Sequence, residues 1–162
     1  MDAKIDCTKP AYICGPLTEL LVDDQQLMKE FYSLLADICG EVLGVRGWVP
    51  HEHYDPVAHA HFTPKEVYVA ERNIVRNCSL LVVCAYGPSW GGGMEVAWAA
   101  EHGIPGILIC EEWKLEKRLI SRLLRGSPIF AQDSILPSSS LRNAGVFLRD
   151  WLRRHATEIN QA

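Results

Sequence analysis

The chain has 162 residues, 48% of them hydrophobic and 22% charged, and 16 Lys and Arg against 20 Asp and Glu give a net charge of −4. This length and composition predict one globular domain over residues 1–162, large enough for a core of ordinary size. The mild acidity argues against a dedicated nucleic-acid-binding protein, which would carry a basic stripe. No apolar run reaches the roughly 18 residues of a membrane span, and the first residues contain no secretory apolar segment. We therefore expect no nucleic-acid partner and no membrane partner.

Six cysteines are scattered along the chain, and none belongs to a C-x-x-C pair. Cys14, Cys84 and Cys110 fall within apolar runs typical of buried strands, where a free thiol behaves as a small hydrophobic side chain. We therefore expect reduced cysteines and a cytoplasmic location rather than a disulfide framework.

Strand-like and helix-like segments alternate along the chain. In chain order, the apolar patterns predict a strand at 11–14, a helix at 23–43, a weak strand at 48–49, a helix at 63–77, a strand at 79–85, a helix at 94–102, a strand at 104–110, a helix at 112–125, a strand at 129–130 or 134–136, and an amphipathic helix at 141–159. Asp23 or Asp24 is the expected N-cap of the first helix. Thr63 and Glu66 form a capping box for the second.

This alternation predicts a three-layer α/β domain with a five-stranded, mainly parallel sheet, which is a flavodoxin-like (Rossmann-like) fold. In that strand order the ligand site lies at the carboxyl ends of the first and third strands. Two loops are therefore expected to form the pocket, at residues 15–18 and 86–93.

The loop at residues 86–93 (YGPSWGGG) has the clearest chemical character. Its three consecutive glycines let backbone N–H groups approach a ligand, and they precede a helix N-terminus suited to an anion or a sugar hydroxyl. Glu95 is expected in the first turn of that helix, where it either complements the helix dipole or serves catalysis. Glu71 is a second carboxylate of interest, unless it is a solvated charge paired with Arg72 or Arg76. Two carboxylates in one pocket would supply a nucleophile and an acid at a glycosidic carbon.

Two H-x-H pairs, His51 with His53 and His59 with His61, would each chelate a metal if they lay on a strand. Their segment contains two prolines and indicates a polar loop at the pocket rim instead. We therefore expect neither a metal nor a cofactor.

The residues present argue against three other kinds of functional site. No Lys follows the glycines, which argues against a P-loop, and no G-x-G-x-x-G follows the first strand, which argues against a dinucleotide fold. Ser89 and Ser121 have no obvious His and Asp partners for a serine hydrolase. The arginines Arg149, Arg153 and Arg154 indicate a helix face or a dimer contact rather than an RNA site.

Two motifs stand together in this chain, at residues 12–17 (YICGPL) and 88–95 (PSWGGGME). The first resembles the opening strand and loop of the nucleoside 2-deoxyribosyltransferase superfamily. The second, with the small residues after it and the Gly-Ile-Pro at 103–105, resembles that family's glycine-bearing loop, nucleophilic glutamate and small-residue helix. The similarity is closest to the 2'-deoxynucleoside 5'-phosphate N-hydrolase branch, and in element order it covers residues 11–126.

The resemblance implies a role for each matching residue. Glu95 falls on the nucleophile that attacks the anomeric carbon. Glu71 falls on a family aspartate that protonates the leaving base or holds the sugar, and this chain departs from the family by one methylene there. The implied substrate-binding residues are Tyr12, Gly15, Leu17, Thr18, Ser89, Gly91, Gly93 and Ser121.

The resemblance is less complete at the residues expected to contact a phosphate. Ser89 falls on a serine that holds the 5'-phosphate, and Ser121 resembles a serine that reaches the site of the neighbouring subunit in a homodimer. Thr18 stands where the hydrolase branch tends to have an arginine, which weakens the phosphate claim. His53 matches a histidine at the rim.

We therefore expect an enzyme, an N-glycosidase that hydrolyses the base–sugar bond of a nucleoside 5'-monophosphate through Glu95. One alternative is a nucleoside 2-deoxyribosyltransferase that exchanges bases on free deoxynucleosides. Another is a non-catalytic sensor that binds a nucleotide or nucleoside. A third is an interaction domain whose pocket is closed by side chains such as that of Trp90.

Overall fold

The computed structural model describes residues 5–156, which contain four strands and seven helices. The strands are β1 (Ala11–Cys14), β2 (Leu80–Cys84), β3 (Gly106–Glu111) and β4 (Phe130–Ser138). The helices are α1 (Val22–Leu43), α2 (His51–Tyr54), α3 (Pro64–Asn77), α4 (Trp90–Glu101), α5 (Glu112–Glu116), α6 (Arg122–Arg125) and α7 (Leu141–Ala156). The last three residues of the predicted helix at 141–159 lie outside the described residues.

The four strands form one parallel sheet in the order β1-β2-β3-β4. Ala11 pairs with Leu80 and Cys14 with Val83, so β1 and β2 end side by side at one edge of the sheet. All residues of both strands are buried, as in parallel strands with helices on both faces. The segment proposed at 134–136 lies within β4, and of the one proposed at 129–130 only Phe130 does; the register of β4 with β3 shifts once.

The prediction of five strands is wrong, because the sheet of the described residues has four. Trp48 forms a single parallel bridge with Tyr12 on the outer side of β1 and does not extend into a strand. The chain reaches Pro50 two residues later and enters α2 directly, and a proline without an N–H cannot continue the ladder. The bridge lies on the side of β1 where the predicted strand was expected, and the sheet itself has the four strands β1-β2-β3-β4.

Two apolar clusters lie on opposite faces of the sheet. Alternate strand residues, such as Ile13 and Val82, pack with α1 and α7, and the residues between them, such as Tyr12 and Val83, pack with α3 and α4. This arrangement is the predicted three-layer α/β architecture.

Helix ends depart from the predictions in two places. Leu21, not an aspartate, is the N-cap of α1, and Asp23 and Asp24 lie in the first turn. Helix α4 begins at Trp90 rather than at Met94.

The predicted helix at 112–125 is two short helices, α5 and α6. The break between them includes Arg118, whose φ of 58° is incompatible with a continuous right-handed helix. By contrast, the capping box at Thr63 is confirmed: its hydroxyl accepts the Glu66 N–H, and the Glu66 carboxylate accepts the Thr63 N–H.

Other sequence expectations concern the cysteines and the membrane. All six cysteines carry free thiols, and five of them are buried. Between residues 5 and 156 no helix combines the length and apolar character that crossing a bilayer requires.

Candidate functional site

A cavity of about 570 Å³ opens where β1 and β2 end, between the loop after β1 and the first turn of α4. Both predicted pocket loops contribute to its wall. The predicted site residues that line it are Gly15, Leu17, Thr18, Glu71, Ser89, Gly91 and Glu95. Tyr12 does not line this cavity, but it contacts Glu95 from within the sheet.

Gly93 and Ser121 line a second cavity of about 950 Å³ on the other side of the start of α4. The two cavities share a wall that includes Gly15, Ser89 and Gly92. The Ser121 hydroxyl accepts the Leu124 N–H and thereby caps α6. Its predicted reach into a neighbouring subunit concerns a second chain and stays a prediction.

The three glycines form the first turn of α4 instead of a loop before it. Ser89 is extended and caps the helix, since its Oγ accepts the Gly92 N–H at 3.0 Å. Early helix N–H groups have no intrahelical partner, and Trp90 and Gly91 border the first cavity. Glu95 therefore lies in the second turn, not in the first turn as predicted.

Glu95 is buried, with 6% of its surface exposed. The Tyr12 O–H donates to Glu95 Oε1 at 2.5 Å. Burial raises the pKa of Glu95, while the Tyr12 hydroxyl and then the Cys14 thiol lower it by stabilising the carboxylate. Glu95 is therefore a carboxyl group held in place beside the cavity rather than a solvated charge.

Glu71 lies on α3 and lines the same cavity as Glu95. Burial, and then the negative charge of Glu95, raise the pKa of Glu71 to about 7. The alternative ion pairs with Arg72 or Arg76 do not occur within residues 5–156, and Arg76 Nε instead donates to His102 at 2.8 Å. Glu71 is therefore mainly protonated below about pH 7.

The two carboxyl groups are electrostatically unlike. Hydrogen-bond donors lower the pKa of Glu95 against the effect of its burial, whereas Glu71 has burial and the charge of Glu95 both raising its pKa. Environments that separate the pKa values of two carboxyl groups are how one pocket acquires both a nucleophile and an acid.

A stack of rings supports Tyr12 from outside the cavity. Tyr12 lies 5.1 Å from Trp48, measured between ring centroids, and His53 stacks on the far side of Trp48 at 4.8 Å. His53, expected at the rim, is thus part of this stack, and His51 lines the cavity instead.

The segment with the two histidine pairs was expected at the pocket rim, and its residues His51, Tyr54, Asp55 and His59 do line the cavity. Other lining residues were not predicted, among them Phe62, Tyr68 and Trp98. Two of these had a usable pattern. Tyr68 precedes Glu71 by three residues and Trp98 follows Glu95 by three, and residues three apart share a helix face.

The histidine pairs do not form a metal site here. His51 and His53 lie on α2, where residues two apart point in different directions. Over the described range there is no group of three or more His, Cys, Asp or Glu side chains placed to hold a metal ion.

Stability should report the unusual protonation of Glu71. Its pKa is higher in the folded state than its ordinary value of 4.5, so the free energy of unfolding falls as pH rises from about 4.5 to 7. Glu71→Gln removes this dependence. The free energy of unfolding of the variant minus that of wild type should therefore be about 1–2 kcal/mol higher at pH 8 than at pH 4.5, for a half-buried group. Urea unfolding of both proteins at each pH measures the difference; a constant difference would contradict the assignment.

Tyr12→Phe should cost more stability at a pH where Glu95 is ionised than at a lower pH where Glu95 is protonated. It removes a donor from a buried carboxylate, at a cost of about 2 kcal/mol, whereas a protonated Glu95 needs that donor less. Tyr32→Phe is the matched control, because the Tyr32 O–H donates to the neutral carbonyl of Pro16. Urea unfolding should show a pH-independent cost for the control, and equal behaviour of the two variants would refute this account of Glu95.

Comparison with known proteins reveals structural relatives only. No protein-family model and no curated protein matches the sequence. The solution structure of BlsM is similar to this chain with a TM-score of 0.68, at 20% identity over 94% of each chain. The crystal structure of a conserved protein from Enterococcus faecalis V583 gives a TM-score of 0.61, at 17% identity over 88% of this chain and 98% of that one. At these identities the similarities show the fold alone.

Proposed function

We propose that this protein is an N-glycosidase that hydrolyses the bond between base and sugar of a nucleoside 5'-monophosphate. The observation that carries the proposal is the pair of unlike carboxyl groups in one cavity, Glu95 held by Tyr12 and Glu71 with a raised pKa. The resemblance of the two loop motifs to nucleoside 2-deoxyribosyltransferases supports the same chemistry.

The proposed reaction has two steps. A Glu95 oxygen bonds to the anomeric carbon while the C1'–N bond breaks, and its electron pair goes to the base, which takes the Glu71 proton. Water then attacks the anomeric carbon, giving a proton to Glu71 and releasing the Glu95 carboxylate and the sugar 5-phosphate. Retaining glycosidases use two carboxyl groups in these roles.

The start of α4 is the candidate phosphate subsite. The first-turn N–H groups at Trp90 and Gly91 border the cavity, and the hydroxyl-bearing side chains of Ser89 and Thr18 line it. A helix N-terminus favours an anion through its dipole and its unpaired N–H groups. Binding at this end would orient the sugar over Glu95.

A second candidate substrate is a free nucleoside, and one observation favours it. Neither Lys nor Arg occurs among the described residues that line the cavity, whereas four of its residues carry carboxyl groups. A phosphate dianion would lack a charged partner there, while the neutral 5'-hydroxyl of a nucleoside requires none. This candidate includes base transfer, in which a second base replaces water.

The test is chromatographic detection of free base. Wild-type protein is incubated with ribo- and deoxyribonucleosides and their 5'-monophosphates, each with and without an acceptor base. Base release from the monophosphates supports the first candidate, and release only from free nucleosides supports the second. Exchange that requires an acceptor identifies a transferase. Nucleotide-dependent stabilisation without any release would refute the enzyme and favour a sensor.

A further inference from the structure

The wall of the first cavity carries excess negative charge. Its carboxyl groups belong to Glu19, Asp55, Glu71 and Glu95. Asp55 forms an ion pair with Lys29 of α1, which does not itself line the cavity. Glu71 is mainly protonated below about pH 7, and the described lining residues offer Glu19 and Glu95 no Lys or Arg partner, so these two carboxylates attract cations.

His51 of this wall does little to offset that charge. Burial lowers the pKa of His51, which favours its neutral ring. His59, also in this wall, accepts a hydrogen bond at Nδ1 from the Asp55 backbone N–H at 3.2 Å.

Aromatic side chains form the outer part of the same wall. Tyr68 and Trp98 meet edge to face with centroids 5.3 Å apart. Phe62 and Trp90 also line the cavity, and Trp90 is 87% exposed. The faces of such rings attract cations through their quadrupole, and they stack on flat heterocycles whatever their charge.

We infer that the cavity selects nucleosides whose heterocycle carries a positive charge, such as pyridinium or N-alkylated nucleosides, over neutral ones. The inference rests on the proposed glycosidase function and names the substrate class of that same site. Unpaired carboxyl groups, aromatic faces and a buried nucleophile are brought together in one cavity, and a cationic ring beside a sugar meets all three.

A cationic heterocycle also changes how the base leaves the sugar. As Glu95 bonds to the anomeric carbon, the electron pair of the C1'–N bond moves to the ring nitrogen and neutralises it, so the base leaves without a proton. Water then displaces Glu95 from the sugar, and the released proton goes to solvent. Glu71 is therefore needed as an acid for neutral bases only.

The test compares nicotinamide riboside, a pyridinium nucleoside, with adenosine and cytidine. Wild type, Glu71→Gln, Glu19→Gln and the exposed control Glu101→Gln are assayed for base release at pH 7. Glu71→Gln should lower kcat/KM about 100-fold for neutral nucleosides and less than tenfold for the pyridinium one. Glu19→Gln should lower the pyridinium-to-neutral ratio of kcat/KM about two- to fivefold, an effect that salt should weaken.

The possible outcomes separate the two proposals. Wild-type release from neutral nucleosides, with none from nicotinamide riboside, would overturn the inference and leave the glycosidase proposal standing. Equal losses for both substrate types in Glu71→Gln would overturn it as well. No base from any nucleoside or monophosphate would overturn the glycosidase proposal, and the inference with it.

Discussion

Glu95→Gln is expected to lower base release at least about 1,000-fold, because an amide cannot take the place of the carboxylate that bonds to the anomeric carbon. The fold should survive. The new side chain keeps an oxygen that accepts the Tyr12 O–H, and it removes a buried negative charge. We therefore expect a melting temperature equal to or above that of wild type at pH 8, together with the lost activity.

The measurement pairs initial rates of base release with thermal unfolding of the same preparation. Glu101→Gln makes the same chemical change on the same helix at an exposed position, and it should match wild type in both. Full activity in a folded Glu95→Gln protein would remove Glu95 from the mechanism. Loss of activity with loss of folding would be explained by structure alone, and Glu95→Asp, which keeps a shortened carboxylate, then provides the decisive rate.

Glu71→Gln carries the second large expectation, a loss of about 100-fold in kcat/KM for nucleosides with neutral bases. Its signature is the pH dependence. The wild-type rate should rise as Glu95 ionises and fall as Glu71 loses its proton near pH 7, where its raised pKa lies. The apparent pKa values of the rising and falling limbs belong to the interacting pair of carboxyl groups, as in any coupled titration. Glu71→Gln should lose the falling limb, because its amide has no proton to give up in that range.

Glu71→Asp is the matched control for this variant. It keeps the carboxyl group and shortens the side chain by one methylene. We expect it to retain the falling limb, with a rate within about tenfold of wild type. Identical pH profiles in wild type and Glu71→Gln would show that Glu71 does not donate a proton in the reaction.

Local patterns predicted the fold wherever local interactions decide the structure. The run around Leu80 is apolar on both faces and forms a central strand. Thr63 and Glu66 form the predicted capping box at the start of α3. The failures have non-local or competing causes. Three glycines have low helix propensity, yet the Ser89 cap starts α4 before them. The spacing at 112–125 stays helical, but Arg118 adopts a positive φ that periodicity cannot reveal.

The candidate site divides in the same way. Glu95 and the two loops were found from motifs, because a Gly-rich segment after a central strand has a fixed position in this architecture. The meeting of Glu71 with Glu95 depends on how α3 packs beside α4, which no spacing encodes. The support of Tyr12 by Trp48 depends on the single bridge that replaces the predicted second strand.

The buried cysteines have a use that is independent of catalysis. Cys14, Cys39, Cys84 and Cys110 lie in β1, α1, β2 and β3, so each reports on a different element. Thiol reagents attack the thiolate, and burial raises the pKa of all four thiols. Each should therefore be labelled only after its own element opens. Mass-spectrometric labelling rates would map, without any mutation, the order in which the sheet and its longest helix come apart.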